Sequence, residues 1–179
     1  MMVRKLRCAT LVATGLSLLC GTVAVQAEMA LGDLTGVEVD AGAFPPAQWS
    51  PRKEAARLTL ACLACEGGMT AIDMQLSAAP AGMEGRVREG QTTARTMLDI
   101  CRANAEKTGG ECYGLERSDL KGAVGFVSDV RIFEGTYSAT YTLYQDGSLL
   151  LMRSVAADRK TARRNGDKAL RSLASQVVR

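Results

Sequence analysis

Four cysteines are the residues of this chain best equipped for chemistry. Cys62, Cys65, Cys101 and Cys112 stand in its body, the first two as the C-x-x-C pair Cys62-Leu63-Ala64-Cys65. Such thiols can exchange disulfides, bind metal as thiolates, or staple a fold. Thiol exchange of the thioredoxin kind places the pair where a strand runs into a helix, whose N-terminus stabilises the thiolate. Here Glu66-Gly67-Gly68 follows, a turn, and then a second strand pattern. The gaps of 2, 35 and 10 residues between the cysteines do not match a paired zinc-knuckle spacing. Structural bridges are therefore the first reading. A thiol–disulfide redox pair at Cys62 and Cys65 is the alternative. Four cysteines allow three pairings. The favoured map is Cys62–Cys65 with Cys101–Cys112, and the runner-up is Cys62–Cys101 with Cys65–Cys112. An ideal strand would hold Cys62 and Cys65 about 10 Å apart, so their bond requires the strand to curl into the following turn.

Histidine is absent from the whole chain. That excludes a Ser-His-Asp triad, a Cys-His dyad, a His-ligated zinc and a c-type haem site. Lys121-Gly122-Ala123-Val124-Gly125 lacks the spacing of a phosphate loop and reads as a turn. No cofactor, no resident metal and no catalytic residue is expected, and nothing positive points to an enzyme.

The first 27 residues place these cysteines in the cell. Arg4, Lys5 and Arg7 precede an apolar run from about Leu11 to Val25, and Val25-Gln26-Ala27 puts small residues at −3 and −1 of a cleavage site. That is the layout of a secretory signal peptide. Leu19 before Cys20 argues against lipid attachment there. The expected location is periplasmic or secreted, where disulfides persist. Removing the three basic residues of the leader from the 22 in the chain leaves 19, against 19 acidic ones. A neutral domain has no global field for nucleic acid. The remainder has no apolar run long enough to span a membrane.

The elements that must position the cysteines follow from periodicity. Residues 28–51 read as an acidic, Pro-containing arm, with Leu34, Val37 and Val39 as a short strand and Phe44 and Trp49 packed onto the domain. The domain itself spans 52–179. Arg57–Cys65 and Met69–Leu76 alternate as strands. Thr92 or Thr93 opens a helix to about Lys107, with Ala94, Met97, Leu98, Cys101 and Ala105 on one stripe. Ala123–Phe133, Thr136–Tyr144 and Ser148–Val155 read as strands, the last two joined by an Asp146-Gly147 turn. A weaker strand lies near Cys112–Leu115. Asp158 caps a final helix from Arg159 to Val178, apolar at Ala162, Ala169, Leu170, Leu173 and Val177. Its opposite face carries Lys160, Arg164, Lys168 and Arg171, in the first reading a solvated face and in the sharper one a contact for an anionic lipid surface, an acidic partner or the acidic arm. Tyr144 faces away from Tyr137 and Tyr141 and could border a ligand groove.

The fold class is α+β: an antiparallel sheet of five to six strands packed against two amphipathic helices. Tyr141-Thr142-Leu143-Tyr144, the Asp146-Gly147 turn, Leu149-Leu150-Leu151-Met152 and the closing helix, within residues 122–178, resemble the end of the PsbP-like superfamily. The resemblance implies an accessory or assembly protein and transfers no active-site residue. The expected function is an exported, disulfide-stabilised accessory or binding protein. Its partner is a protein of the cell envelope, met through a groove between helix and sheet or through an exposed strand edge.

Overall fold

Alternation builds the centre of the molecule. The computed structural model describes residues 33–62, 64–65 and 68–179. Residues 1–32, Leu63, Glu66 and Gly67 lie outside the described residues, and with them the expected signal peptide and the first residues of the expected arm. Strands β1 (Trp49–Glu54), β2 (Arg57–Cys62) and β3 (Thr70–Ala78) lead to helices α1 (Met83–Arg88) and α2 (Ala94–Lys107). Then come β4 (Glu111–Arg117), β5 (Val124–Phe133), β6 (Thr136–Gln145), β7 (Ser148–Ala156) and α3 (Arg159–Ala169). The last helix continues through a π-helical stretch (Leu170–Ala174) and a final turn (Ser175–Val177). All seven strands join one antiparallel sheet in the order β1-β2-β3-β7-β6-β5-β4.

The turns are local chemistry. Asp146 and Gly147 both have positive φ, 49° and 76°, as a type I′ hairpin requires, and they pair Gln145 with Ser148. Asp158 accepts from the Thr161 amide at 2.8 Å and starts α3, and Thr93 does the same for α2 through Thr96. Register then places alternate residues of neighbouring strands on a common face. Leu58, Met74, Met152 and Tyr141 fall side by side on one face, as do Leu60 and Ile72, and Leu150 and Leu143.

That face is the main core. The C-terminal helix covers it with Ala162, Ala169, Leu173 and Val177, all buried, and the N-terminal segment closes its margin with Leu34, Phe44 and Trp49. Each fully buried large side chain contributes about 1.5–3 kcal/mol relative to exposure. Helix and sheet approach closely at Gly166, where a Cβ would meet the Tyr141 ring at 2.6 Å. The other face is thinly covered. Val87 of α1, Val124, Phe126 and Tyr144 form a small separate cluster at one end. In α2 only Ala105 is buried, and Ile100 stays 49 % exposed.

Several expectations need correction. The sheet has seven strands rather than five or six, and α1 adds a third helix. Strand β1 lies across the end of the expected arm. Only Trp49 of β1 is buried, and Pro51 and four polar or charged residues mask any alternation, so the edge strand leaves little trace in the pattern. Leu34 begins a 3-10 turn, Leu34–Gly36, capped by the Asp33 carboxylate, and not a strand. Tyr144 does not border a groove: it is buried beneath α1. Phe44 and Trp49 pack edge to face onto the domain, as expected of the arm.

Candidate functional site

The cysteines pair as the favoured map has them. Cys101 of α2 joins Cys112 of β4, with Cα atoms 5.9 Å apart. Cys62 joins Cys65, with Cα atoms 5.7 Å apart, because β2 ends at Cys62 and the chain turns there. Gly68 completes the turn by donating to the Cys65 carbonyl at 3.1 Å.

The Cys101–Cys112 bridge stands at a groove of about 390 Å³ between α2 and the thinly covered sheet face. Met97, Ile100, Cys101 and Asn104 form its helical wall. Phe126, Ser128, Val130, Thr140, Thr142 and Arg153 line its strand side. The size suits a small ligand or a short side-chain cluster of a protein. Its apolar end is Phe126 against Met97 and Ile100, and its polar end is Arg153, beside Asp73 across the β3–β7 ladder. Burial pushes the Asp73 carboxyl up, but hydrogen bonds from Arg57, Gln75 and Thr59 outweigh it and hold the group below its ordinary value.

The Cys62–Cys65 bridge stands at a second cleft, of about 370 Å³, on the other face. Cys65, Trp49 and Thr70 meet Arg164, Asn165 and Lys168 of α3 there. Two sets of residues that looked separate in the sequence, the C-x-x-C pair and the basic helix face, thus share one cavity. The basic face itself divides. Lys168 donates to the Ala43 carbonyl at 3.1 Å and lies 5.7 Å from the Phe44 ring centre, so it ties the N-terminal segment to α3. Lys160, Arg164 and Arg171 are exposed.

Sequence reasoning missed a charged cluster beneath the same helix. Asp129 of β5 is buried and accepts from Arg159 at 3.0 Å and from Arg163 at 3.5 Å. Arg163 also pairs with Glu116 of β4 and, at 3.3 Å, with Asp167. The Tyr141 hydroxyl donates to Asp167. Burial and that hydrogen bond push the Tyr141 phenol far above its ordinary value. Burial lowers the Arg163 guanidinium, yet Glu116, Asp129 and Asp167 together hold it above its ordinary value. Every carboxylate in the cluster is matched to a guanidinium or a phenol, so no free base remains. Its chemistry is that of a clamp between α3 and the sheet. No spacing could have found it, because its partners lie up to 47 residues apart.

No protein-family model matches the sequence, and neither does any curated protein. Among solved structures the chain is similar to the solution structure of cyanobacterial PsbP (CyanoP) from Synechocystis sp. PCC 6803. The two are 12 % identical, with 75 % of this chain and 96 % of that chain covered and a TM-score of 0.47.

Proposed function

We propose that this is an exported accessory protein of the cell envelope that works by binding a protein partner, without catalysis of its own. The observation that carries the reading is the groove between α2 and the sheet. Its walls set Met97, Ile100 and Phe126 beside Ser128, Thr140, Thr142 and Arg153, and a disulfide beside it holds α2 to β4. A chain without histidine, with its buried carboxylates paired, has little means for acid–base work at neutral pH. The occupant is an extended segment of the partner that sets an apolar side chain against Ile100, Met97 and Phe126 and a polar one near Arg153. The signal-peptide layout of residues 1–27 and the two disulfides support an extracytoplasmic setting.

The test is a photo-crosslinking residue at position 100, with Lys53 on the edge strand as the control position. A discrete adduct in the cell-envelope fraction from position 100, and none from 53, supports the reading. No adduct from position 100 in cells that express the protein abundantly overturns it.

A further inference from the structure

The cleft beside Cys65 is built for more than a staple. Cys62 is fully buried, whereas Cys65 is half-buried and lines the cavity. An incoming group therefore reaches one sulfur of the pair and not the other. The cleft is cationic: Arg164 and Lys168 border it, and no carboxylate is among its described lining residues. Arg164 makes one long hydrogen bond, 3.5 Å to Thr161. Asn165 is only 8 % exposed and lines the cleft, and its carboxamide has no hydrogen-bond partner among the described residues. A ligand carboxylate in the cleft can accept from that amide. Two cations thus line the same cleft as Cys65, the kind of surrounding that favours a thiolate.

We propose that Cys62–Cys65 is an exchange-competent disulfide whose cleft receives thiols carrying carboxylates. The thiolate of the ligand attacks Cys65 Sγ. The Cys62–Cys65 bond breaks, and its electron pair passes to Cys62 Sγ, which takes a proton from water. A second ligand thiolate then attacks the ligand sulfur of the mixed disulfide and releases Cys65 as a thiolate beside Arg164 and Lys168. Two ligand thiols are oxidised to one disulfide, and the protein disulfide is reduced to two thiols. The Cys101–Cys112 bond, whose Cys112 shares its pocket with the carboxylates Glu106 and Glu111, stays intact.

The oxidised protein is mixed in separate samples with glutathione, 2-mercaptoethanol and cysteamine, which are anionic, neutral and cationic. Samples are acid-quenched, alkylated and mapped by mass spectrometry, with rates expressed per thiolate. The expected result is a glutathione adduct on Cys65 with Cys62 alkylated, and a faster reaction of glutathione than of cysteamine. Arg164→Gln should shrink that ratio about threefold at low salt, from the loss of one nearby charge in a wet site, and slow 2-mercaptoethanol, whose thiolate carries a single negative charge, less than glutathione. Lys168→Gln should shrink it as well, with a melting curve to confirm that the N-terminal segment is still docked. A Cys62–Cys65 bond as inert as Cys101–Cys112 overturns the proposal. So does a glutathione-to-cysteamine ratio that both variants leave unchanged. The groove on the opposite face takes no part, so position 100 crosslinking and thiol exchange succeed or fail independently.

Discussion

Two helices lie on opposite faces of one sheet and are held there by different physics. The C-terminal helix is fastened by area and by charge. Leu173 and Val177 sink into the core, Gly166 lets the backbone approach Tyr141, and Arg159 and Arg163 reach down to Asp129. Helix α2 is fastened by one covalent bond and little apolar area, with Met97 and Leu98 half-buried and Ile100 exposed. Where the face is fully packed a partner finds no room, and the cleft beside Cys65 opens where that packing ends. A face held open by a disulfide keeps a groove without losing its shape, because the bridge supplies the constraint that packing does not.

The contrast can be broken most severely from the packed side. Leu173→Ala should cost about 2–5 kcal/mol by removing a fully buried side chain from a close-packed site, whereas Met97→Ala on α2 should cost about 1 kcal/mol. Urea denaturation of both variants measures the difference. Equal losses would mean that α2 is as deeply packed as the C-terminal helix.

Next in size is the staple itself. Replacing Cys101 and Cys112 together by Ser opens an 11-residue separation and should lower stability by about 3 kcal/mol, which a melting curve of the oxidised protein would register. Amide exchange should then rise in α2 and not in α3. Uniform exchange across both helices would remove the claim that the bridge holds only one of them.

The smallest effect sharpens how α3 begins. The Asp158 carboxylate is held below its ordinary value mainly by its hydrogen bond with Thr161. A depressed carboxyl pKa stabilises the fold above the ordinary carboxylate range, and the benefit is lost as pH falls through and below it. Asp158→Ala should cost about 1 kcal/mol at pH 7 and progressively less at low pH. A pH-independent cost would show that the side chain packs rather than caps.

Much of the fold is legible in short windows of sequence. Leu58-Leu60-Cys62, the Asp146-Gly147 turn, the Thr93 and Asp158 caps and the apolar stripe ending at Val177 each depend on residues a few positions apart. Both bridges join cysteines close along the chain, 3 and 11 residues apart, as the favoured map has them. The edge strand β1 escaped because solvent faces most of it and it needs no alternation. The short helix α1 escaped because a single buried residue, Val87, anchors it.

By itself, then, the sequence determined the elements, their turns and caps, the cysteines able to bridge, and the absence of imidazole chemistry. Those properties follow from backbone sterics, local hydrogen bonding and side-chain type, which act over one to four residues. Only the tertiary structure decided that β7 lies between β3 and β6, and that Arg163 turns inward to Asp129 while Arg164 faces the Cys65 cleft. It also decided that α2 leaves its sheet face open. Such choices rest on contacts between residues tens of positions apart, whose strength is set by burial and by which charges arrive together, and neither is written in any local window.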